Sequence, residues 1–166
     1  MQTLVRNAQE LFGIQIKNAQ LQMIANYERE LMVWNEKISL TAIRDEAGIR
    51  TKHFLDSFSC VQAWQDKVPQ TLVDVGSGAG FPGIPLKIIY PHLKLSLVDS
   101  VAKKVKFCQH IVETLKLGDV KVIHARAVVE RDRAGARGER EVEQRVVEHF
   151  APQDHGVVEP AGSRHA

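Results

Sequence analysis

Residues Leu72-Val73-Asp74-Val75-Gly76-Ser77-Gly78-Ala79-Gly80-Phe81-Pro82-Gly83 constrain this chain more than any other stretch. An apolar run closes on an acid, three glycines follow at alternate positions, and an apolar helical segment opens at Pro82. That order reads as a strand, a tight loop and a helix N-terminus. Glycine lets backbone approach a ligand closely, because no Cβ stands in the way. Unpaired N–H groups at the start of the following helix suit a negatively charged group. Dinucleotide-binding loops run G-x-G-x-x-G, whereas this one runs G-x-G-x-G with Asp74 two residues before Gly76.

Around that loop, residues 71 to 124 carry a β-α-β-α-β rhythm. The strands are predicted at Thr71 to Val75, Leu93 to Val98 and Val120 to His124. The helices are predicted at Gly83 to Tyr90 and Ala102 to Leu117, with Pro91 and Gly118 as breakers just beyond them. Alternation of this kind predicts an α/β fold with a parallel sheet. Ligands of such sheets sit at the carboxyl ends of the strands, so Asp74, the glycine loop and Asp99 are expected on one edge. Asp99 lies about 20 residues past the loop, where an acid can accept ribose hydroxyls. It can equally cap the next helix.

Residues 1 to 66 read as a helical region. Leu4, Ala8, Leu11 and Phe12 share one helical face, and Leu21, Ile24, Tyr27, Leu31 and Trp34 form a second stripe behind a possible Asn18 cap. Ile38 to Ile43 reads as extended, Asp45 as a cap, and Phe54, Phe58 and Val61 as a third helix ending near Trp64. His53 and Asp56, spaced i, i+3, fall on one face of it beside Ser57. They are candidates for a substrate pocket, with an ordinary surface hydrogen bond as the alternative. Lys103, Lys104 and Lys106 open the second helix of the α/β part, where they face either RNA phosphate or plain solvent.

Residues 128 to 166 hold no Leu, Ile, Met, Trp, Tyr or Lys. Such a segment buries too little apolar surface to offset its chain entropy, so disorder is expected. The abrupt change fits an out-of-frame reading of GC-rich DNA, a natural disordered tail being the alternative. The expected organisation is therefore a helical region at 1–66, a partial α/β domain at 67–127 and a low-complexity tail at 128–166.

The bulk properties exclude little else. A net charge of +2 neither demands nor excludes a nucleic-acid partner. Cys60 and Cys108 have no metal spacing, so no metal is expected, a reduced cytoplasmic setting fits, and Cys108 reads as core. No apolar run approaches the ~20 residues of a membrane helix.

The loop resembles the first motif of class I methyltransferases, which bind S-adenosylmethionine. The wider set resembles the bacterial small-subunit ribosomal RNA methyltransferase G family, also called glucose-inhibited division protein B. The matching segments are Trp34-Asn35-Glu36-Lys37-Ile38-Ser39-Leu40-Thr41, His53-Phe54-Leu55-Asp56-Ser57, the loop from Asp74 to Pro85, Leu97-Val98-Asp99-Ser100 and Lys103-Lys104-Val105-Lys106-Phe107. The resemblance covers roughly residues 1 to 127. It implies a helical cap on a class I methyltransferase (Rossmann-like) sheet, and methyl transfer from S-adenosylmethionine to N7 of a guanine in 16S rRNA, free or in the small ribosomal subunit. It further implies cofactor contacts at Gly76 and Phe81, with Ala127 and Val128 beside the adenine; the loop and strand reading adds Gly78 and Gly80 as close-approach positions, Asp74 for the amino group and Asp99 for the ribose. The family usually has an acid where Val128 stands, and a later family arginine has no counterpart here. The family's later strands are also missing, so an uncovered sheet edge, weak folding or association, and little turnover are expected.

Two other readings stay open at this stage. One is a non-catalytic fragment that binds cofactor or RNA; the other is a nicotinamide-dependent oxidoreductase, against which the loop spacing and Asp74 argue. Guanine N7 carries a lone pair and no proton, so attack on an activated methyl needs alignment rather than a general base. No catalytic acid or base is therefore assigned.

Overall fold

The computed structural model describes residues 1–64 and 67–126. Helix α1 spans Gln2–Phe12 and α2 spans Asn18–Lys37. A compound helical run follows: α3 at Glu46–Ile49, a π-helical turn at Arg50–Leu55, α4 at Asp56–Ser59 and a 3-10 turn at Cys60–Trp64. Then come β1 (Thr71–Val75), α5 (Gly83–Ile89), β2 (Lys94–Asp99), α6 (Ala102–Thr114) and β3 (Val120–His124). The expected β-α-β-α-β series is present, with the second strand shifted by one residue.

The three strands form one parallel sheet in the order β1-β2-β3. Asp74 pairs with Leu97 and Val75 with Val98; Val98 pairs with Ile123 and Asp99 with His124. The three strands and their intervening helices make a Rossmann-like arrangement. Among the described residues β1 is an edge strand, and its Val73 and Val75 are 47% and 50% exposed.

One hydrophobic cluster runs through both the helical and the α/β parts. It joins Leu4, Ala8, Ile24, Tyr27, Leu31, Phe54 and Phe58 to Ile84, Ile88, Leu95, Leu97, Phe107 and Ile111. Polar side chains reinforce the junction. Gln20 Nε2 donates to the carbonyls of Ile88 and Ile89 at 2.9 and 3.0 Å, fastening the start of α2 to the end of α5. Arg50 Nε lies 2.8 Å from Glu28 Oε1, and Arg50 also reaches Glu46 at 2.6 Å, tying the π turn to α2. Burying Glu28 raises its carboxyl pKa, and the Arg50 hydrogen bond pulls it back down. A buried carboxylate of this kind depends on its partner.

The helices differ from expectation in several details: α5 ends at Ile89 rather than Tyr90, and α6 at Thr114 rather than Leu117. Asn18 is the first residue inside α2 rather than its cap; Lys17 holds the cap position, and its N–H donates to the Gln20 side chain at 2.9 Å. Leu11 is 59% exposed instead of buried. Gly13 closes α1 in the left-handed conformation, the following N–H returns to the Ala8 carbonyl, and Ile14 enters the core. The Asp45 cap forms as expected, its carboxylate accepting from Gly48 N–H at 2.7 Å.

Among the described residues no helix is long and apolar enough to cross a membrane, and no three His, Cys, Asp or Glu side chains are grouped to hold a metal. The expected tail at 128–166, with Ala127 and Val128, lies outside the described residues.

Candidate functional site

The glycine loop leaves β1 and is captured at once by β2. Gly76 N–H and Ser77 N–H both donate to the Val98 carbonyl, at 2.7 and 3.2 Å. Gly78 N–H donates to Asp99 Oδ2 at 2.9 Å. Asp99 Oδ1 accepts from Val101 N–H at 2.8 Å, so the acid also organises the entry to α6. Both roles considered for Asp99 are thus compatible: its oxygens are fixed by backbone donors, and each keeps a further lone pair for a hydroxyl.

Asp74 lies beneath the loop, buried. Its Oδ2 accepts from Gly83 N–H, the first residue of α5, at 2.9 Å. Gly83 makes that approach possible, since a Cβ there would meet Leu97 Cδ2 at 2.7 Å and Asp74 Oδ2 at 2.8 Å. Burial pushes the Asp74 carboxyl up to about 6; the Gly83 hydrogen bond opposes this, and nearby Asp99 adds to it. A carboxylate held at that cost is poised for a cationic partner.

The crest of the loop is open. Gly76 and Gly78 have φ of +76° and +59°, and a Cβ at either would meet at most the Gly76 carbonyl oxygen, 3.9 Å from the one on Gly78. Open backbone between two carboxylates fits a ligand with an ammonium at one end and a ribose at the other. Gly80 is different: a Cβ there would lie 2.5 Å from Ile84 Cδ1 and 2.8 Å from the Tyr27 hydroxyl.

Two side chains distant in sequence also hold the loop. Tyr27 of α2 donates its hydroxyl to the Ala79 carbonyl, and burial raises its phenol pKa well above the usual value. Cys108 of α6 donates its thiol to the Gly78 carbonyl at 3.5 Å, with burial pushing that thiol up to about 12. Each sat on an apolar stripe, where a buried phenol or thiol needs a polar partner that the stripe alone does not name.

The remaining candidates separate. His53 lies in the π turn and Asp56 opens α4, and their contacts differ. His53 stacks on Phe81, with centroids 4.6 Å apart, and its Nε2 is hydrogen-bonded to Thr41 Oγ1 at 2.8 Å. Burial lowers its pKa, against the pull of Asp56. Asp56 instead borders an open groove with Phe12, Thr51, Lys52, Leu55 and Ser59. Ser57 is buried, its hydroxyl donating to the His53 carbonyl at 2.5 Å, which removes it from any open pocket. Lys103 and Lys106 are exposed and Lys104 half-buried along α6.

A three-stranded parallel sheet whose glycine loop is fixed between acids of adjacent strands is a Rossmann-like arrangement. Residues 20–142 match the family model described as rRNA small subunit methyltransferase G, a span that runs past residue 127, where the composition changes. The chain belongs to that family. Among its relatives, "Ribosomal RNA small subunit methyltransferase G" of Roseiflexus castenholzii is 52% identical over 122 residues, which cover 73% of this chain and 52% of that protein. The protein of the same name from Alkaliphilus metalliredigens is 50% identical over 119 residues, covering 72% and 49%. The chain therefore spans about half the length of the curated relatives it matches. A crystal structure of a SAM-dependent methyltransferase from Aquifex aeolicus overlaps 50% of this chain and 43% of its own, at 25% identity and a TM-score of 0.39.

Proposed function

We propose that this chain carries the S-adenosylmethionine-binding half of an rRNA methyltransferase that acts on N7 of a guanine in 16S rRNA, as the family relationship suggests. The observation that carries the reading is the Gly76–Gly80 loop fixed between Asp74 and Asp99.

When bound, S-adenosylmethionine supplies a methyl group already activated on sulfonium. Asp74 holds the amino group, directly or through water, and in doing so regains the charge partner that burial denies it. Asp99 accepts the ribose hydroxyls while Gly78 and Val101 N–H groups hold it still. Gly76 and Gly78 leave room for the methionine portion, and Phe81 closes the loop against the helical part. Guanine N7 needs no deprotonation, so these residues serve alignment. The target is an unstacked guanine, since a base inside a helix cannot reach the methyl.

Lys103 and Lys104, just past Asp99, are the proposed phosphate contacts. Charge-removing substitutions, Lys103→Ala and Lys104→Ala, are expected to weaken binding of deproteinised 16S rRNA similarly for all sequences. Each is expected to reduce the slope of log affinity against log salt by about 1. Filter binding between ~50 and 200 mM salt measures this; unchanged slopes identify the lysines as a solvated helix face. Tritium transfer from labelled S-adenosylmethionine to 16S rRNA tests the reaction. Cofactor binding without transfer leaves the site reading intact and removes the catalytic one.

A further inference from the structure

The half-buried ring of Phe81 is flanked by three aromatic side chains from the helical part of the chain. Tyr27 covers one face, with centroids 5.1 Å apart and planes 8° from parallel. His53 stacks against Phe81 at 4.6 Å and 17°. Phe54 meets Phe81 edge-on at 5.4 Å, and meets Tyr27 in the same manner. The preceding two residues of the loop are gripped from the same side. Ala79 receives the Tyr27 hydroxyl, and Gly80 lies so close to that hydroxyl that no Cβ fits.

His53 leads outward from this stack. Its Nε2 bonds Thr41 Oγ1, which also accepts Ile43 N–H at 3.1 Å. Asn35 fixes the same segment: its Oδ1 accepts the N–H groups of Leu40 and Thr41 at 2.8 and 3.0 Å, and its Nδ2 donates to the Thr41 carbonyl at 3.0 Å. The π turn at Arg50–Leu55 carries His53 to Phe81, while Phe54, next in the chain, is fully buried. π turns recur at functional sites because they redirect a side chain without ending a helix.

We propose that Tyr27 and His53 are positioning residues for the cofactor loop: the Tyr27–Phe81–His53 column holds residues Ala79 to Phe81 in the conformation that receives the ligand. The helical part is then a component of the cofactor site rather than a separate cap. His53 acts through its flat face and not through proton transfer. The column rests on the reading of the loop as an S-adenosylmethionine site, so its test includes a measurement made without ligand.

The experiment uses the full chain and three variants, Tyr27→Phe, His53→Ala and His53→Phe. Calorimetric titration with S-adenosylmethionine is paired with amide hydrogen exchange of the ligand-free protein. Tyr27→Phe keeps the ring and removes the hydroxyl; the freed Ala79 carbonyl lets the ligand-free loop leave the binding conformation, and cofactor affinity is expected to fall about tenfold, in proportion to the binding-competent fraction lost. His53→Ala is expected to lose a similar factor, and His53→Phe to recover most of it. In ligand-free Tyr27→Phe and His53→Ala, exchange is expected to speed up at Gly80 and Phe81, whose N–H groups donate to the Ser77 carbonyl, while α6 amides hold their rates.

A uniform rise in exchange across α6 and the sheet assigns the column a purely structural role and overturns the proposal. Equal loss of affinity in His53→Phe and His53→Ala overturns the stacking role. A parent chain that fails to bind S-adenosylmethionine sinks the cofactor reading instead. The exchange pattern then still decides whether the column controls the loop. Should His53→Ala fail to fold, Thr41→Val removes the outer bond of the column and is read by the same two measurements.

Discussion

Asp74→Asn is expected to make the ligand-free chain more stable at pH 8 and to lower S-adenosylmethionine affinity about a hundredfold. The two effects share one cause. Burial raises the folded carboxyl to about 6 from an ordinary value of 3.8. Between those values the unfolded chain has released the proton and the folded chain has not. Stability contributed by this group therefore falls as pH rises through the window, and the full cost is present above about pH 6. At 1.36 kcal/mol per unit, that cost approaches about 3 kcal/mol. Asparagine does not bear it, and its Oδ1 can still accept the Gly83 N–H that Asp74 Oδ2 now takes. Denaturant melts should show the variant about 2 kcal/mol more stable at pH 8, with the gap closing toward pH 4. Parent-chain affinity for the cofactor should weaken as pH drops below about 6, in step with protonation of Asp74. A gap independent of pH, or an unchanged affinity, would show that Asp74 is only a structural acid.

Gly80→Ala and Gly78→Ala should part company, though both change a glycine of positive φ in one loop. At Gly80, φ is +92° and a Cβ would enter the space of Ile84 and the Tyr27 hydroxyl. Strain and collision act together, and a loss of about 3 kcal/mol or more is expected. At Gly78, φ is +59° and the nearest atom to a Cβ is 3.9 Å away. Only the left-handed backbone is penalised, by about 1 kcal/mol. The added methyl would nonetheless stand in the proposed ligand path, so affinity should fall at least about tenfold while the fold persists. Thermal melts and titrations of the two variants measure this. Equal destabilisation by both would mean that the Gly78 crest is packed rather than open.

The α/β half was legible because its signals are local. Runs such as Thr71–Val75 and Val120–His124 are short, rich in β-branched residues and preceded by turn formers, and the acid–glycine spacing is contiguous. The contacts of the helical half with the loop were not legible because they join residues distant in sequence. Tyr27 reaches Ala79, and His53 reaches Phe81, across gaps that no periodicity reports. Nothing in the sequence announces the π turn at Arg50–Leu55, and a buried serine such as Ser57, bonded back to the His53 carbonyl, looks the same in sequence as an exposed one. Asp99 resisted assignment because one carboxylate serves two backbone donors and still has acceptor capacity to spare. Ala127 and Val128, named only through family resemblance, fall outside the described residues.

Titrating the full chain with S-adenosylmethionine at pH 7.5, with NAD as the competing ligand, tests the central claim most directly. Saturable one-to-one binding of S-adenosylmethionine is expected, sharply weakened in Asp99→Ala, with no binding of NAD. Absence of S-adenosylmethionine binding by a folded chain, or tighter binding of NAD, would contradict it.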